Sequence, residues 1–300
     1  MAQWSDPRVT GAQSSLAGVG SRAGDVAFDA GLRSHMLKVY NYMASGVLLT
    51  GVVAMLFAQT ELAQNLMTNP SMMSWVIILS PLVVVLAMSF GQGKFSASTL
   101  QAMFWGFAVL MGLSMARIFM MFTGESIAQT FFATSAAFAG LSLWAYTTKK
   151  DISGWGSFLV MGMVGLIVAS IVNIFLGSDT LHWVISAAGV LIFAGLTAYD
   201  TQRIKSEYFY LQGPEMIGKA AVMAALTLYL DFINMFQFLL SFLVNREKSS
   251  AVKLGQKTMA QWETTGPFSL GSCRTGLFFP CKILLESASP NRRLNNALGR

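Results

Sequence analysis

Residues 191–208, LIFAGLTAYDTQRIKSEY, and residues 225–244, ALTLYLDFINMFQFLLSFLV, each place one aspartate in an apolar run of membrane-spanning character. A carboxylate at the centre of such a helix costs roughly 2.5 to 3.5 kcal/mol on insertion scales, so Asp200 and Asp231 need a reason to be there. The polar linker around Gly213 and Pro214 lets the two runs fold back as a helical hairpin. Asp200 lies 13 residues before Gly213 and Asp231 lies 18 after it. At about 1.5 Å of rise per residue their depths differ by roughly 7 to 8 Å, which allows the two side chains to face each other.

The rest of the chain has the same character. Its 300 residues are 54% hydrophobic and 11% charged, with a mean hydropathy of +0.55. A soluble domain carries about 25% charged residues, so this is a polytopic membrane protein. Apolar stretches near 37–59, 73–90, 98–121, 127–147, 155–177, 181–203 and 219–244 give seven candidate spans. No stretch has the roughly ten-residue alternation of a transmembrane strand, and the fold class that follows is all-α, a seven-transmembrane-helix bundle. Residues 1–36, rich in Gly, Ser and Ala, read as a flexible cytoplasmic arm, 37–245 as the membrane domain, and 246–300 as a basic, disordered tail. The arm lacks the apolar core of a cleavable signal peptide, so the first span serves as an uncleaved anchor.

Charge placement predicts topology. Connections near 60–72, 122–126 and 178–180 contain no Lys or Arg, whereas the alternate ones hold Lys94, then Lys149 and Lys150, then Lys205. With Arg8, Arg22 and Arg33 ahead of the first span, the alternation puts the N-terminus in the cytoplasm. Seven full crossings then leave the tail outside; the alternative is a seventh segment that enters and returns. Residues 1–245 hold 11 Lys+Arg against 11 Asp+Glu, and the tail supplies the whole net charge of +6. No basic helix face or motif points to nucleic acid, which is excluded as a partner. Cys273 and Cys281 match no metal or redox spacing. No cofactor is expected.

The polar residues of the last two spans fall on faces. Thr227, Asp231, Asn234 and Phe238 share one side of the seventh, and Ser186, Phe193, Thr197 and Asp200 one side of the sixth. Facing stripes bring two carboxylates to one place in low dielectric, where they either share a proton or hold a cation between them. Calcium wants six to eight oxygens, so two carboxylates with Thr197, Thr227, Asn234 and water make a weak, transient site. The competing reading has Asp200 pairing with Arg203 at the interface and Asp231 hydrogen-bonding a neighbouring helix. Arg117, near the end of the third span, is a candidate basic partner or an interfacial residue, and Glu125 belongs to the first turn of the fourth. His35 reads as interfacial. Gly106, Gly112, Gly140, Gly162 and Gly165 read as close helix-packing positions.

Enzyme readings fail: there is no G-x-S-x-G, H-E-x-x-H, P-loop or dinucleotide fingerprint. An intramembrane aspartyl protease is set aside because Asp231 follows Leu230 and not the glycine of a GxGD motif.

TGESIA (123–128), YTTK with Asp151 (146–151), YDTQ (199–202) and LYLDFIN (228–234), in that order, resemble the Bax inhibitor-1 (TMBIM) family, in particular its proteobacterial members, over roughly residues 28–245. The resemblance implies a bundle with the last helix at its centre, in the bacterial inner membrane. It also implies a pH-sensitive calcium leak governed by a di-aspartyl pair that matches Asp200 and Asp231. Its other implication is a non-conducting role as modulator of a membrane-bound protease or stress response. The basic latch on the second helix that goes with the family has no counterpart in 73–90, which contains no Arg or Lys and leaves Arg117 as the substitute. The tail departs from the family pattern.

Overall fold

The computed structural model describes the backbone of residues 7–68 and 72–265 and the side chains of 30–66 and 72–243. Eight α-helices run in order: α1 (Pro7–Ala58), α2 (Glu61–Thr68), α3 (Met72–Gly91), α4 (Ala97–Met121), α5 (Gly124–Thr147), α6 (Gly156–Leu176), α7 (Asp179–Glu207) and α8 (Pro214–Thr265). No strand occurs among the described residues. Among the described residues, seven segments are long and apolar enough to cross a membrane: Ala30–Ala58 of α1, α3, α4, α5, Ser153–Leu176, Asp179–Tyr210 and Pro214–Leu243 of α8. They coincide with the seven expected spans. Two compact units emerge from the backbone, Met1–Asn245 and Arg246–Arg300, and the first holds all seven.

Helix limits follow local chemistry. Ser96, Thr123 and Ser178 cap α4, α5 and α7 by accepting from the backbone N–H three residues on. Glu125 sits in the first turn of α5, as expected, and accepts from Gln129 Nε2 at 3.1 Å. Gly213, at φ +81°, turns the chain into α8, whose first residue is Pro214, a position where a missing N–H costs nothing.

Two expectations differ at the ends. α1 is helical from Pro7, where a flexible arm is expected to residue 36; no proline follows Pro7 until Pro70, so nothing interrupts the ladder. α8 likewise continues past 245 to Thr265, stopping short of Pro267. It has no reversal between 219 and 244, so the enter-and-return form of the seventh span is not what the backbone adopts. The rest of the expected tail, with Cys273 and Cys281, lies outside the described residues.

α8 is the hub. Half of its membrane window is buried, against 11% for α3 and for α6. Tyr229 is fully buried, with its ring centroid 6.2 Å from that of Phe104 and 5.1 Å from that of Phe107, both on α4. Phe232 packs at 5.7 Å on Phe131 and 5.6 Å on Phe138 of α5, and Phe238 stacks at 5.7 Å on Phe193 of α7. The last helix thus touches α1, α4, α5 and α7, while α3 and α6 pack from outside on α4 and α7.

Pro81 interrupts α3 and would orphan the Ile77 carbonyl one turn back, a serious cost where no water is at hand. Two hydroxyls satisfy it: Ser80 Oγ donates at 2.9 Å and Ser114 Oγ, from α4, at 2.6 Å. The glycines divide. A Cβ on Gly112 would meet the Thr50 carbonyl at 2.9 Å and one on Gly162 would meet Ile192 at 3.0 Å, so both mark close approach. Gly106, Gly140 and Gly165 have nothing within 4 Å and do not perform the packing role expected of them.

Candidate functional site

α7 and α8 form the expected hairpin, and it brings Asp200 and Asp231 together. The two carboxyl groups lie within hydrogen-bonding reach of each other. Both are buried, at 7% and 5% exposure, and Asp231 Oδ2 has no hydrogen-bond partner. Buried polar atoms normally have at least one hydrogen-bond partner, so an unpartnered carboxyl oxygen beside a second buried carboxyl is an unusual arrangement, in which two like charges meet in low dielectric.

Thr197, fully buried, donates to the Phe193 carbonyl at 2.8 Å. Thr227 donates to Met223 O at 3.2 Å, and Asn234 Nδ2 to Leu230 O at 2.8 Å. All three expected supporting residues therefore bond back to their own helix, one turn up, which is the usual refuge of a short polar side chain in an apolar helix. They share the helix faces of the aspartates without donating to them.

Arg117 does not face the pair. It is exposed one turn before the end of α4, with Nε 3.3 Å from Met121 Sδ. It forms no ion pair among the described residues and is not among the groups that act on Asp200 or Asp231; a long stem near the end of a span is able to reach an interface. Beside Asp231, the charged groups that act on Asp200 are Arg203 and Glu207 of α7 itself. Arg203 is engaged with Glu207 at 2.7 Å, and the expected alternative, a direct Asp200–Arg203 pair, is not formed. His35, expected as an interfacial residue, is buried at 4% exposure against the protein, with its ring 5.1 Å from that of Tyr208.

Two contributions escape the sequence reading. Thr201, next to Asp200, gives its proton to Thr197 O at 2.7 Å, so Ser142 Oγ of α5, 3.0 Å away, must be the donor to Thr201 Oγ1. This bond ties α5 to the turn that carries Asp200; its signal was the stripe Thr130, Thr134, Ser142, buried and helically spaced. Gln202 clamps the connection between α5 and α6, donating to Lys150 O at 2.8 Å and accepting from Ile152 N at 3.1 Å. A single polar residue beside YD gives no such signal in one dimension.

No group of three or more His, Cys, Asp or Glu that could hold a metal occurs among the described residues. Two carboxyls alone fall well short of the oxygens a retained calcium needs.

The family model described as "Inhibitor of apoptosis-promoting Bax1" matches residues 32–248, which takes in all but the first two residues of the seven spans and both aspartates. The chain belongs to this family. An uncharacterised protein of Rickettsia prowazekii is 46% identical over 73% of this chain and 92% of its own length. One from Caulobacter vibrioides is 45% identical over 73% and 91%. The inner membrane protein YbhL of Escherichia coli is 39% identical over 72% and 94%. For this Bax1-inhibitor family member, the carboxyl pair is where the two buried acidic side chains described on α7 and α8 meet.

Proposed function

We propose that the protein is a non-enzymatic, pH-sensitive cation leak in which Asp200 and Asp231 alternately hold a proton or a passing cation. The observation that carries this reading is the adjacency of two buried carboxyl groups, with Asp231 Oδ2 unpartnered. In a low-dielectric bundle two adjacent carboxylates repel strongly, and the repulsion is relieved by a shared proton or by a cation between them. As pH falls the pair takes up protons and releases the cation; as pH rises the charge that attracts a cation returns. The scarcity of other free oxygens supports passage over storage, since a conducted ion must bind weakly enough to leave.

Calcium is the permeant ion we assign, on the family resemblance, as cargo and not as a resident cofactor. We place the protein in the bacterial inner membrane, as the name of YbhL has it for that relative, with the N-terminus cytoplasmic on the alternation of Lys and Arg.

The test is calcium flux against pH in proteoliposomes holding the full chain. Asp200→Asn with Asp231→Asn abolishes the pH dependence of the flux, and Arg117→Gln preserves it. Wild-type vesicles with no flux at any pH would sink the leak reading. Unchanged flux and pH profile in the double variant would sink the di-aspartyl mechanism.

A further inference from the structure

We propose that the groove between α1 and α5 is a binding site for an anionic phospholipid, with one acyl chain lying along the groove and the headgroup phosphate held at its cationic end. The cavity has a volume of about 760 Å³, lined on one side by Leu37, Ala44 and Leu48 of α1 and on the other by Phe131, Ala139 and Leu143 of α5. That size and apolar lining are typical of sites that take a small hydrophobic ligand. Leu37, Leu48 and Leu143 are 54%, 69% and 65% exposed, so the groove opens sideways onto the bilayer.

Its length suits a chain from one leaflet. From Arg33 to Leu48 along α1 is about 22 Å at the helical rise. Half of a bilayer core of about 30 Å is roughly 15 Å, so the groove accommodates one leaflet's chain with room for the headgroup region.

The two ends differ chemically. Toward the end at Leu48 and Phe131 the lining carries no charged side chain, and Ser135 is its one polar residue. At the other, Arg33 and Tyr146 line the groove, and Lys205 sits beside them, donating to the Tyr146 carbonyl at 2.9 Å with its cation 5.1 Å from the Tyr146 ring. No acidic side chain lines the cavity, and neither Arg33 nor Lys205 forms an ion pair among the described residues. Two cations and a tyrosine at the head of an apolar channel match a phosphodiester on an acyl chain and have nothing to offer a zwitterionic head, whose own ammonium cancels the attraction. The inner wall is Phe232, the neighbour of Asp231, so an occupant packs one residue from the carboxyl pair. Lipid binding at this groove does not depend on ion conduction.

The experiment uses the full chain in detergent with phosphatidylglycerol and phosphatidylcholine of identical chains, read by native mass spectrometry. It also uses phosphatidylglycerol carrying a diazirine on its acyl chain, with adducts mapped by peptide. Wild type retains phosphatidylglycerol preferentially, adducts fall on 37–48 and 131–143, and Ala139→Trp removes them. Arg33→Gln lowers the preference roughly fivefold, and adding Lys205→Gln lowers it by a similar factor again, as expected of one cation each near an anionic head. Arg33 is exposed, so the single variant reads out even where the Lys205 change impairs folding. Equal retention of the two lipids, adducts spread over other helices, or displacement by an equimolar free fatty acid would each overturn the assignment. Asp200→Asn with Asp231→Asn leaves the lipid preference intact, which separates this result from that of the flux assay.

Discussion

Thr50→Val is expected to destabilise the bundle more than Tyr229→Phe, and Tyr229→Phe is expected to rescue it. Thr50 Oγ1 lies 2.8 Å from the Ala108 carbonyl and 2.7 Å from Tyr229 Oη, all buried. A carbonyl can only accept, so the single Thr50 proton goes to Ala108, and Tyr229 must be the donor in the second bond. Replacing Tyr229 with Phe removes a donor whose acceptor has other work, and interhelical hydrogen bonds in membranes average about 0.6 kcal/mol. Replacing Thr50 with Val leaves the Tyr229 hydroxyl buried with no acceptor, at about 1–3 kcal/mol. With both changed no donor is stranded, so adding Tyr229→Phe to the Thr50→Val variant recovers about 1 kcal/mol of that penalty. A double-mutant cycle by reversible unfolding in mixed micelles measures this. Simple additivity, or Tyr229→Phe costing more than Thr50→Val, would refute both the donor assignment and the wedging of α8 between α1 and α4.

Two glycines on α4 offer a matched contrast in the same assay. Gly112→Ala costs about 1–3 kcal/mol because its Cβ would meet Val53 Cβ at 2.8 Å and the Thr50 carbonyl at 2.9 Å, whereas Gly106→Ala, with open space, gains about 0.5–1 kcal/mol of helix preference; equal effects would mean that α1 and α4 are not in this register. Outside the spans, the Ser153 hydroxyl and its N–H, 2.9 Å from Asp151 Oδ1, hold the Asp151 carboxyl below the usual carboxylate range. Since the folded value is depressed, the turn's contribution is present above the ordinary Asp pKa and fades as pH falls through the folded one. Carboxyl NMR should show an Asp151 midpoint below about 3.9, moved up by Ser153→Ala; a midpoint at or above that value contradicts the turn.

The spans, the hairpin and the meeting of Asp200 with Asp231 were legible because hydropathy, the Gly213–Pro214 turn and a count of helical rise are one-dimensional quantities. Centrality of the last helix was not in composition, and came from the family resemblance; the structure supplies its reason in Tyr229, Phe232 and Phe238, which face three different neighbours. What stayed hidden depended on rotation about a helix axis. Gly106 and Gly112 read alike in sequence, yet one faces open space and the other the α1 backbone. Thr197, Thr227 and Asn234 were placed on the right faces, but their preference for their own helix carbonyls over the aspartates is a matter of side-chain torsion. For Arg117 the partner and interfacial readings both stayed open in sequence, because depth along a span says nothing of the direction in which a long side chain leaves it.

α8 combines two opposed requirements within three residues, and their separation explains why the carboxyl pair is tolerated. Tyr229 and Asp231 are about 200° apart around the helix, so the fully bonded hydroxyl network faces α1 and α4 while the under-bonded carboxyl faces α7. The Thr50–Tyr229 bond, with Phe232 on α5 and Phe238 on α7, holds the rotation of α8 that keeps Asp231 beside Asp200. Burial of two adjacent carboxyls is then a consequence of packing elsewhere on the same helix, and loosening the Thr50–Tyr229 contact should relieve the electrostatic frustration at Asp231 along with the constraint that creates it.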